Sequence, residues 1–142
     1  MSAEFPSGPR RRMYRYDDDL VALACHYMIR GMQEVHALMR ERAEGESGPV
    51  GGTFGAMPRD MQDAAIDGVD RARRTSQVNA RDHHNAWVDF MTDRGWRYGP
   101  RDYEAKTHPA LVYWPQLGPE ERDKARMFLQ VVTGMTLDVE AA

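Results

Sequence analysis

Residues 84–123 carry most of the side chains in this chain that could bind a ligand. The segment holds all three tryptophans, half of the six tyrosines, and a lysine close to a histidine: Trp87, Trp96, Trp114, Tyr98, Tyr103, Tyr113, Lys106 and His108. Glycine and proline interrupt it repeatedly, so most of it is expected to form turns. Because loops usually carry polar residues over the surface, this aromatic content predicts either a small core that closes over itself or the wall of a ligand pocket.

A pocket built from these residues would suit a planar ring with a phosphate. Trp87 and Trp96 could approach one ring from two sides, and base–aromatic stacking contributes about 1–3 kcal/mol per base in nucleic-acid complexes. Side chains that could bind the ring edge or the phosphate lie in the same segment: Arg97, Tyr98, Arg101, Lys106 and His108. A compact core also combines aromatic rings with a few polar groups, so the residues alone leave the pocket and the core open.

The sequence contains no recognisable catalytic motif. A His-Glu-x-x-His pair is absent, the five histidines lack metal-ligand spacing, and no serine lies in a nucleophile elbow. The single cysteine, Cys25, has no evident activating motif. Acidic runs at residues 17–19 and 120–121 fit the N-termini of helices. We therefore expect a protein that is not an enzyme, with no catalytic residues, metal or cofactor.

Length, charge and cysteine content restrict the class of protein. A chain of 142 residues is the size of one domain and can bury a core without metals or disulfides. One cysteine excludes an internal disulfide. The sequence has no apolar run long enough for a membrane span and no signal-peptide core, so the expected location is the cytoplasm, with no membrane partner. A net charge of −3 argues against a nucleic-acid partner.

Three segments are expected along the chain. Residues 1–16 contain four arginines and two prolines and are predicted to form a flexible basic arm. Residues 17–136 are expected to form one domain, and residues 137–142 a short tail. The arm could meet an anionic partner, but chain ends are usually solvated, so we expect no specific role for it.

Apolar periodicity and helix-end signals predict a mainly α fold with about four helices. The expected helices span residues 17–42, 58–74, 79–94 and 119–133, and a Gly-rich loop at residues 44–57 joins the first two. Asn79 should cap the third helix, and Gly95 should end it. An irregular segment rich in aromatic residues, proline and glycine then follows, with at most a short extended piece at residues 110–114.

Two of these helices carry distinct apolar stripes. On the first, six residues recur at helical spacing, the pattern of an amphipathic helix: Leu20, Ala24, Tyr27, Gly31, Val35 and Leu38. On the fourth, the stripe is expected to face inward: Ala125, Phe128, Leu129, Val132 and Met135. His26 lies outside the first stripe and could face the aromatic segment.

The order of residues from His84 onward resembles the RyR domain, the repeat first described in ryanodine receptors. The pattern His-x-x-Trp, Gly-Trp-x-Tyr-Gly, Lys-x-His-Pro-x-Leu-Val and its continuation is carried by these residues: His84, Trp87, Gly95, Trp96, Tyr98, Gly99, Asp102, Lys106, His108, Pro109, Leu111, Val112, Tyr113, Leu117, Glu121 and Asp123. The chain departs from the pattern at Ala110, where a cysteine is common, and at Trp114, which precedes a proline. An ordered pattern of this length is far more specific than a short motif, and it places the repeat at residues 79–135.

The chain is also similar to stand-alone, single-domain RyR proteins of bacteria and phages, through ACHY at residues 24–27 and AAIDGV at residues 64–69. The resemblance implies a non-catalytic domain that binds or sequesters a nucleotide or nucleotide-like molecule, for instance a phage protein acting on a host signalling nucleotide. The residues and the resemblance together predict this ligand site: His84, Trp87, Trp96, Arg97, Tyr98, Arg101, Lys106, His108 and Tyr113. The alternative is a protein–protein interaction module without a small-molecule ligand, and a homo-oligomer stays open.

Overall fold

The structure is a computed structural model and describes residues 16–44, 54–75 and 78–136. Four helices dominate it: α1 (Asp18–Glu44), α2 (Arg59–Arg74), α3 (Ala80–Asp93) and α4 (Pro119–Met135). Two short strands, β1 (Arg97–Tyr98) and β2 (Thr107–His108), and single 3₁₀ turns at residues 54–56 and 114–116 complete these ranges. No helix within them is both long and apolar enough to cross a membrane. The predicted mainly α fold is confirmed, whereas nearly all of the predicted basic arm, most of the Gly-rich loop and the tail lie outside the described residues.

Local signals set the ends of α3. The Oδ1 atom of Asn79 accepts a hydrogen bond from the backbone N–H of Asp82 at 2.8 Å, which confirms the predicted N-cap. At the other end, Gly95 adopts a φ of 90°, a conformation that glycine reaches without the steric penalty of a side chain. The two ends of α3 along the chain therefore follow from local signals in the sequence.

The helices pack around a core shared by α1, α2 and α4. Its buried members include residues from all three: Val21, Cys25, Val69, Phe128 and Val132. A Cβ atom at Gly68 would lie 3.0 Å from His83 Cε1 and 3.2 Å from Phe128 Cζ, so this glycine lets α2 approach α3 and α4 closely. The inward face predicted for α4 is confirmed, because Ala125, Phe128 and Val132 are buried.

Three large residues of the apolar stripe on α1 lie on the outer side of this helix. Leu20, Tyr27 and Val35 are 48%, 46% and 55% exposed. The inner face is formed by other, mostly smaller residues: Val21, Ala22, Cys25 and Ala37. The large apolar residues of the stripe therefore do not mark the buried face of α1. Small inner residues contribute a weak apolar signal, and the larger outer residues dominate the periodicity.

Turns and a minimal sheet organise the segment between α3 and α4. Strands β1 and β2 pair in parallel, and Asp102 Oδ1 closes the turn between them by accepting the backbone N–H groups of Glu104 and Ala105, both at 3.1 Å. The extended piece predicted at residues 110–114 is wrong, because the strands lie at residues 97–98 and 107–108. Pro109 and Pro115 lack the N–H that a strand ladder needs, which disfavours pairing there.

Candidate ligand-binding cavity

A cavity of about 400 Å³ lies between the four helices and the segment that follows α3. Its wall is mostly apolar, with ionisable side chains from α3, the β1–β2 region and α4: His83, His84, Arg101, His108, Glu121 and Lys124. Arg101 and Tyr103 line the cavity and are exposed residues, so the cavity reaches the surface at the turn between the strands. Pockets for small organic ligands have volumes of about 300–1,000 Å³, and this cavity falls within that range.

One indole, that of Trp87, forms part of the cavity wall. Its ring centroid lies 5.7 Å from that of His84, one turn earlier on α3, and 5.4 Å from that of His108 on β2. The imidazole of His108 meets the indole edge-on, at an interplanar angle of 77°. Trp87 is only partly buried and lines the cavity, so part of the indole surface faces the cavity.

Hydrogen bonds determine which nitrogen carries the proton in these two imidazoles. His84 Nε2 lies 2.7 Å from the carbonyl oxygen of Val112, so Nε2 donates and Nδ1 is left as an acceptor. In His108, Nδ1 accepts the backbone N–H of Ala110 at 3.0 Å, so the neutral ring keeps its proton on Nε2. The two rings beside Trp87 therefore offer one acceptor nitrogen and one donor nitrogen.

Burial keeps three of the cavity histidines, His83, His84 and His108, neutral near pH 7. It lowers the pKa of His83 to about 3. It also lowers the pKa of His108 to about 3, and the positive charges of Arg101 and Lys124 add to that shift. The pKa of His84 is lowered as well, again mainly by burial. These rings supply polar atoms to the cavity without supplying charge.

The formal charges at the cavity belong to Arg101, Glu121 and Lys124. Lys124 Nζ and Glu121 Oε1 form an ion pair at 2.6 Å. Arg101 forms no ion pair with another residue of the described ranges. Two cations and one carboxylate leave a net positive charge, which favours a ligand with an anionic group.

The single cysteine of the chain also lines the cavity. Cys25 is 1% exposed, and its thiol donates to the carbonyl oxygen of Phe128 at 3.6 Å. Burial raises the pKa of this thiol to about 12, so it is protonated near pH 7 and is a poor nucleophile. Within the described ranges, no group of three or more His, Cys, Asp or Glu side chains is placed to hold a metal ion.

The structure brings part of the predicted site together at the cavity. Four of the predicted residues line it: His84, Trp87, Arg101 and His108. The other five do not: Trp96, Arg97, Tyr98, Lys106 and Tyr113. Arg97 and Tyr98 form β1 and are exposed, Tyr98 at 66%. Four of the nine predicted residues therefore share one cavity, while the sequence pattern does not show on which side of the segment each residue lies.

Trp96 lies in the core rather than in the cavity wall. It is 2% exposed and packs with Met61, Met91 and Leu111. Its Nε1 donates to Asp60 Oδ2 at 3.0 Å, which satisfies the indole N–H inside the protein. The expectation that two indoles share one accessible cavity is therefore wrong, and Trp87 alone contributes an indole there.

Lys106 and Tyr113 make contacts outside the cavity. Lys106 Nζ donates to the carbonyl oxygen of Arg94 at 3.2 Å and lies 3.6 Å from Asp60 Oδ2. The hydroxyl of Tyr113 donates to Asp89 Oδ1 at 2.6 Å. Both side chains therefore attach the turn segment to the helices that precede it, a structural role that the sequence pattern did not distinguish from ligand binding.

Some cavity residues were missed by the sequence prediction. Glu121 and Lys124 precede Phe128 on the inner face of α4 and line the cavity, so extending that stripe by one turn toward the N-terminus would have found them. Tyr103 lies in a turn, where no periodicity indicates its direction. His26, which the sequence left open, also lines the cavity.

The family model of the RyR domain matches residues 57–139. The match covers α2, α3, the turn segment and α4, and it begins upstream of residue 79, where the sequence motif was placed. No curated protein matches the chain. Since the matched segment is more than half of the 142 residues, this chain belongs to the RyR domain family.

Proposed function

We propose that this chain is a non-catalytic domain that binds a nucleotide or nucleotide-like small molecule in the cavity beside Trp87. The observation that carries the proposal is the cavity of about 400 Å³, which combines one indole, neutral imidazoles and a net positive charge. Apolar walls with a few convergent polar groups are typical of small-molecule sites. The family match supports the type of domain.

The planar part of the ligand would stack on Trp87. The rings of His84 and His108 lie 5.7 and 5.4 Å from the indole, close enough to reach the edge of a stacked ring. His84 Nδ1 can accept a hydrogen bond, and His108 Nε2 can donate one. A base edge with adjacent donor and acceptor groups, as in purines, would match this pair.

The anionic part of the ligand would bind Arg101. This residue lines the cavity and is exposed, so a phosphate bound there stays close to water and loses less of its hydration. The guanidinium group offers a planar set of donors that fits phosphate oxygens. Lys124 adds positive charge from α4, although Glu121 lies 2.6 Å from its Nζ.

The reactive groups of the cavity suit binding without turnover. Near pH 7 the thiol of Cys25 is protonated, because burial raises its pKa to about 12. The low pKa values of His83 and His108, about 3, make both rings weak bases for proton transfer near pH 7. The proposed role is therefore to hold a ligand, and in a phage-encoded protein this would sequester a host signalling nucleotide.

A ligand panel tests the proposal by thermal denaturation. The panel contains adenine and guanine nucleotides, cyclic mono- and dinucleotides, and the matching nucleosides. A ligand at about 100 times its Kd stabilises the folded state by about 2.7 kcal/mol, so binders should raise Tm. A panel without a binder would contradict the proposal and favour a protein–protein interaction module.

Trp87→Ala should weaken nucleotide binding by roughly 5- to 150-fold, because about 1–3 kcal/mol of stacking is lost. Isothermal titration calorimetry measures the change. Trp114→Ala is the matched control, since Trp114 is also partly buried but does not line the cavity. Unchanged affinity in Trp87→Ala would place the ligand elsewhere.

Arg101→Gln should weaken nucleotide binding by about tenfold or more and leave nucleoside binding nearly unchanged. A hydrogen bond to a charged group contributes about 1.5–3 kcal/mol, and only the nucleotide carries the phosphate. Arg97→Gln removes the same charge from an exposed residue outside the cavity and is the control. Equal losses in both variants would indicate a general electrostatic effect instead of a phosphate contact.

A further inference from the structure

The outer face of α1 carries an apolar surface from residue 20 to residue 39. Its residues follow one another at intervals of about one helical turn: Leu20, Ala24, Tyr27, Met28, Gly31, Val35 and Met39. Leu20, Met28, Val35 and Met39 are between 48% and 60% exposed, and they are the exposed large aliphatic residues of the described ranges. Contiguous exposed apolar patches mark interaction surfaces. In the part of the chain that the structure describes, no other element covers this face.

We infer that the outer face of α1 is the interface of an antiparallel homodimer with Gly31 on its two-fold axis. Gly31 is the central residue of α1, with as many helical residues before it as after it. It is exposed, and beyond its chain neighbours and the surrounding backbone of α1 no described atom lies within 4 Å of the position that a Cβ would occupy. Two copies of α1 can therefore approach closely where they cross, since neither carries a side chain at that point. A two-fold interface uses the same patch on both copies, and this face has large apolar residues on both sides of a small centre.

The antiparallel register brings complementary side chains together. With Gly31 on the axis and 3.6 residues per turn, Val35 of one copy lies beside Met28 of the second copy, and Tyr27 lies beside Glu34. The first contact buries apolar surface, and the second lets the tyrosine hydroxyl donate to an exposed carboxylate. In a parallel pair Glu34 would instead lie beside Val35 of the second copy, a charge against an apolar side chain.

The dimer interface and the ligand cavity lie on opposite faces of α1. Cys25, His26 and Ile29 line the cavity, whereas Met28 and Val35 belong to the outer face and are exposed. Both surfaces can therefore be occupied at once. The dimer stands independently of the proposed ligand, and substitutions on the outer face should leave ligand binding unchanged.

Sedimentation equilibrium tests the dimer. The wild-type chain should associate to a dimer, and Val35→Glu should weaken the association at least about tenfold, because the two-fold symmetry places the buried charge in the interface twice. Gln130→Glu adds the same charge on the exposed side of α4 and is the matched control. Both variants should keep the wild-type circular dichroism spectrum, since both positions are exposed in the single chain. A wild-type chain that stays monomeric at every concentration would overturn the inference and assign the face to another segment or another protein.

Cysteine cross-linking tests the register. Met28→Cys and Val35→Cys, mixed and oxidised, should form a disulfide-linked dimer, and each variant alone should form several-fold less. A disulfide needs Cα atoms about 4.4–6.8 Å apart, which the antiparallel register provides only between the two different positions. The native Cys25 is 1% exposed and gives little background. Cross-linking of each variant with itself at the level of the mixture would overturn the antiparallel arrangement.

Discussion

Trp96→Ala is expected to lower the free energy of unfolding by about 3–5 kcal/mol, the cost of removing a large aromatic side chain from a packed core. The indole is 2% exposed and packs with Met61 and Met91, between α2 and α3. Its loss would leave a cavity that the surrounding helices fill only in part. It would also remove the donor of the 3.0 Å hydrogen bond to Asp60.

Asp60 explains why this indole is structural. Asp60 Oδ1 accepts a hydrogen bond from Arg94 Nη1 at 3.3 Å. Lys106 Nζ lies 3.6 Å from Asp60 Oδ2, the oxygen that also accepts from Trp96. The hydrogen bond from Trp96 and the two nearby cations hold the pKa of Asp60 below its usual range. One carboxylate thus joins α2 to the end of α3 and to the turn before β2.

Urea denaturation followed by far-ultraviolet circular dichroism measures the free energy of unfolding of Trp96→Ala against that of the wild-type chain. Trp87→Ala is the matched control, because it removes the same side chain from the partly buried cavity wall. Trp87→Ala should lower the free energy of unfolding less than Trp96→Ala does, and it should weaken ligand binding more. If Trp96→Ala keeps the wild-type stability and loses ligand binding, the roles of the two indoles are the reverse of those assigned from the structure.

The different environments of the two indoles show where prediction from sequence stops. Trp87 and Trp96 both belong to the family pattern and both have polar residues close to them in the sequence. What separates them is Asp60, which lies on another helix, 36 residues before Trp96 in the chain. Spacing within the segment carries no information about that contact, so the pattern could identify the segment but not the side on which each ring lies.

Helix ends were predictable because their causes are local. Asn79 Oδ1 caps α3 at 2.8 Å from the backbone nitrogen of Asp82, and Pro119 begins α4. The buried face of α1 was not predictable in this way. Its inner residues include Ala22 and Cys25, which are too small to dominate the periodicity, and the larger outer residues are explained by a second copy of the chain in the dimer that we infer.

Acidification from about pH 7 to about pH 5 is expected to destabilise the folded chain, because its buried histidines resist protonation. Burial lowers the pKa of His83 and of His108 to about 3, whereas histidine in an unfolded chain is protonated near about pH 6.5. Below that pH the unfolded state binds more protons than the folded state. The free energy of unfolding should then fall by about 1.4 kcal/mol per pH unit for each histidine, or about 2.7 kcal/mol for the pair.

Urea denaturation at a series of pH values measures this slope, and His83→Gln should reduce it by about 1.4 kcal/mol per pH unit. The reference pKa of carboxyl groups in an unfolded chain is about 4, which lies below this window, and the pKa of Asp60 in the folded chain is lowered further. Constant stability across the window would mean that the folded chain protonates these rings as readily as the unfolded one. Water would then have to reach His83 and His108. The ring of His108, which is proposed to donate to a ligand beside Trp87, would become cationic in mild acid.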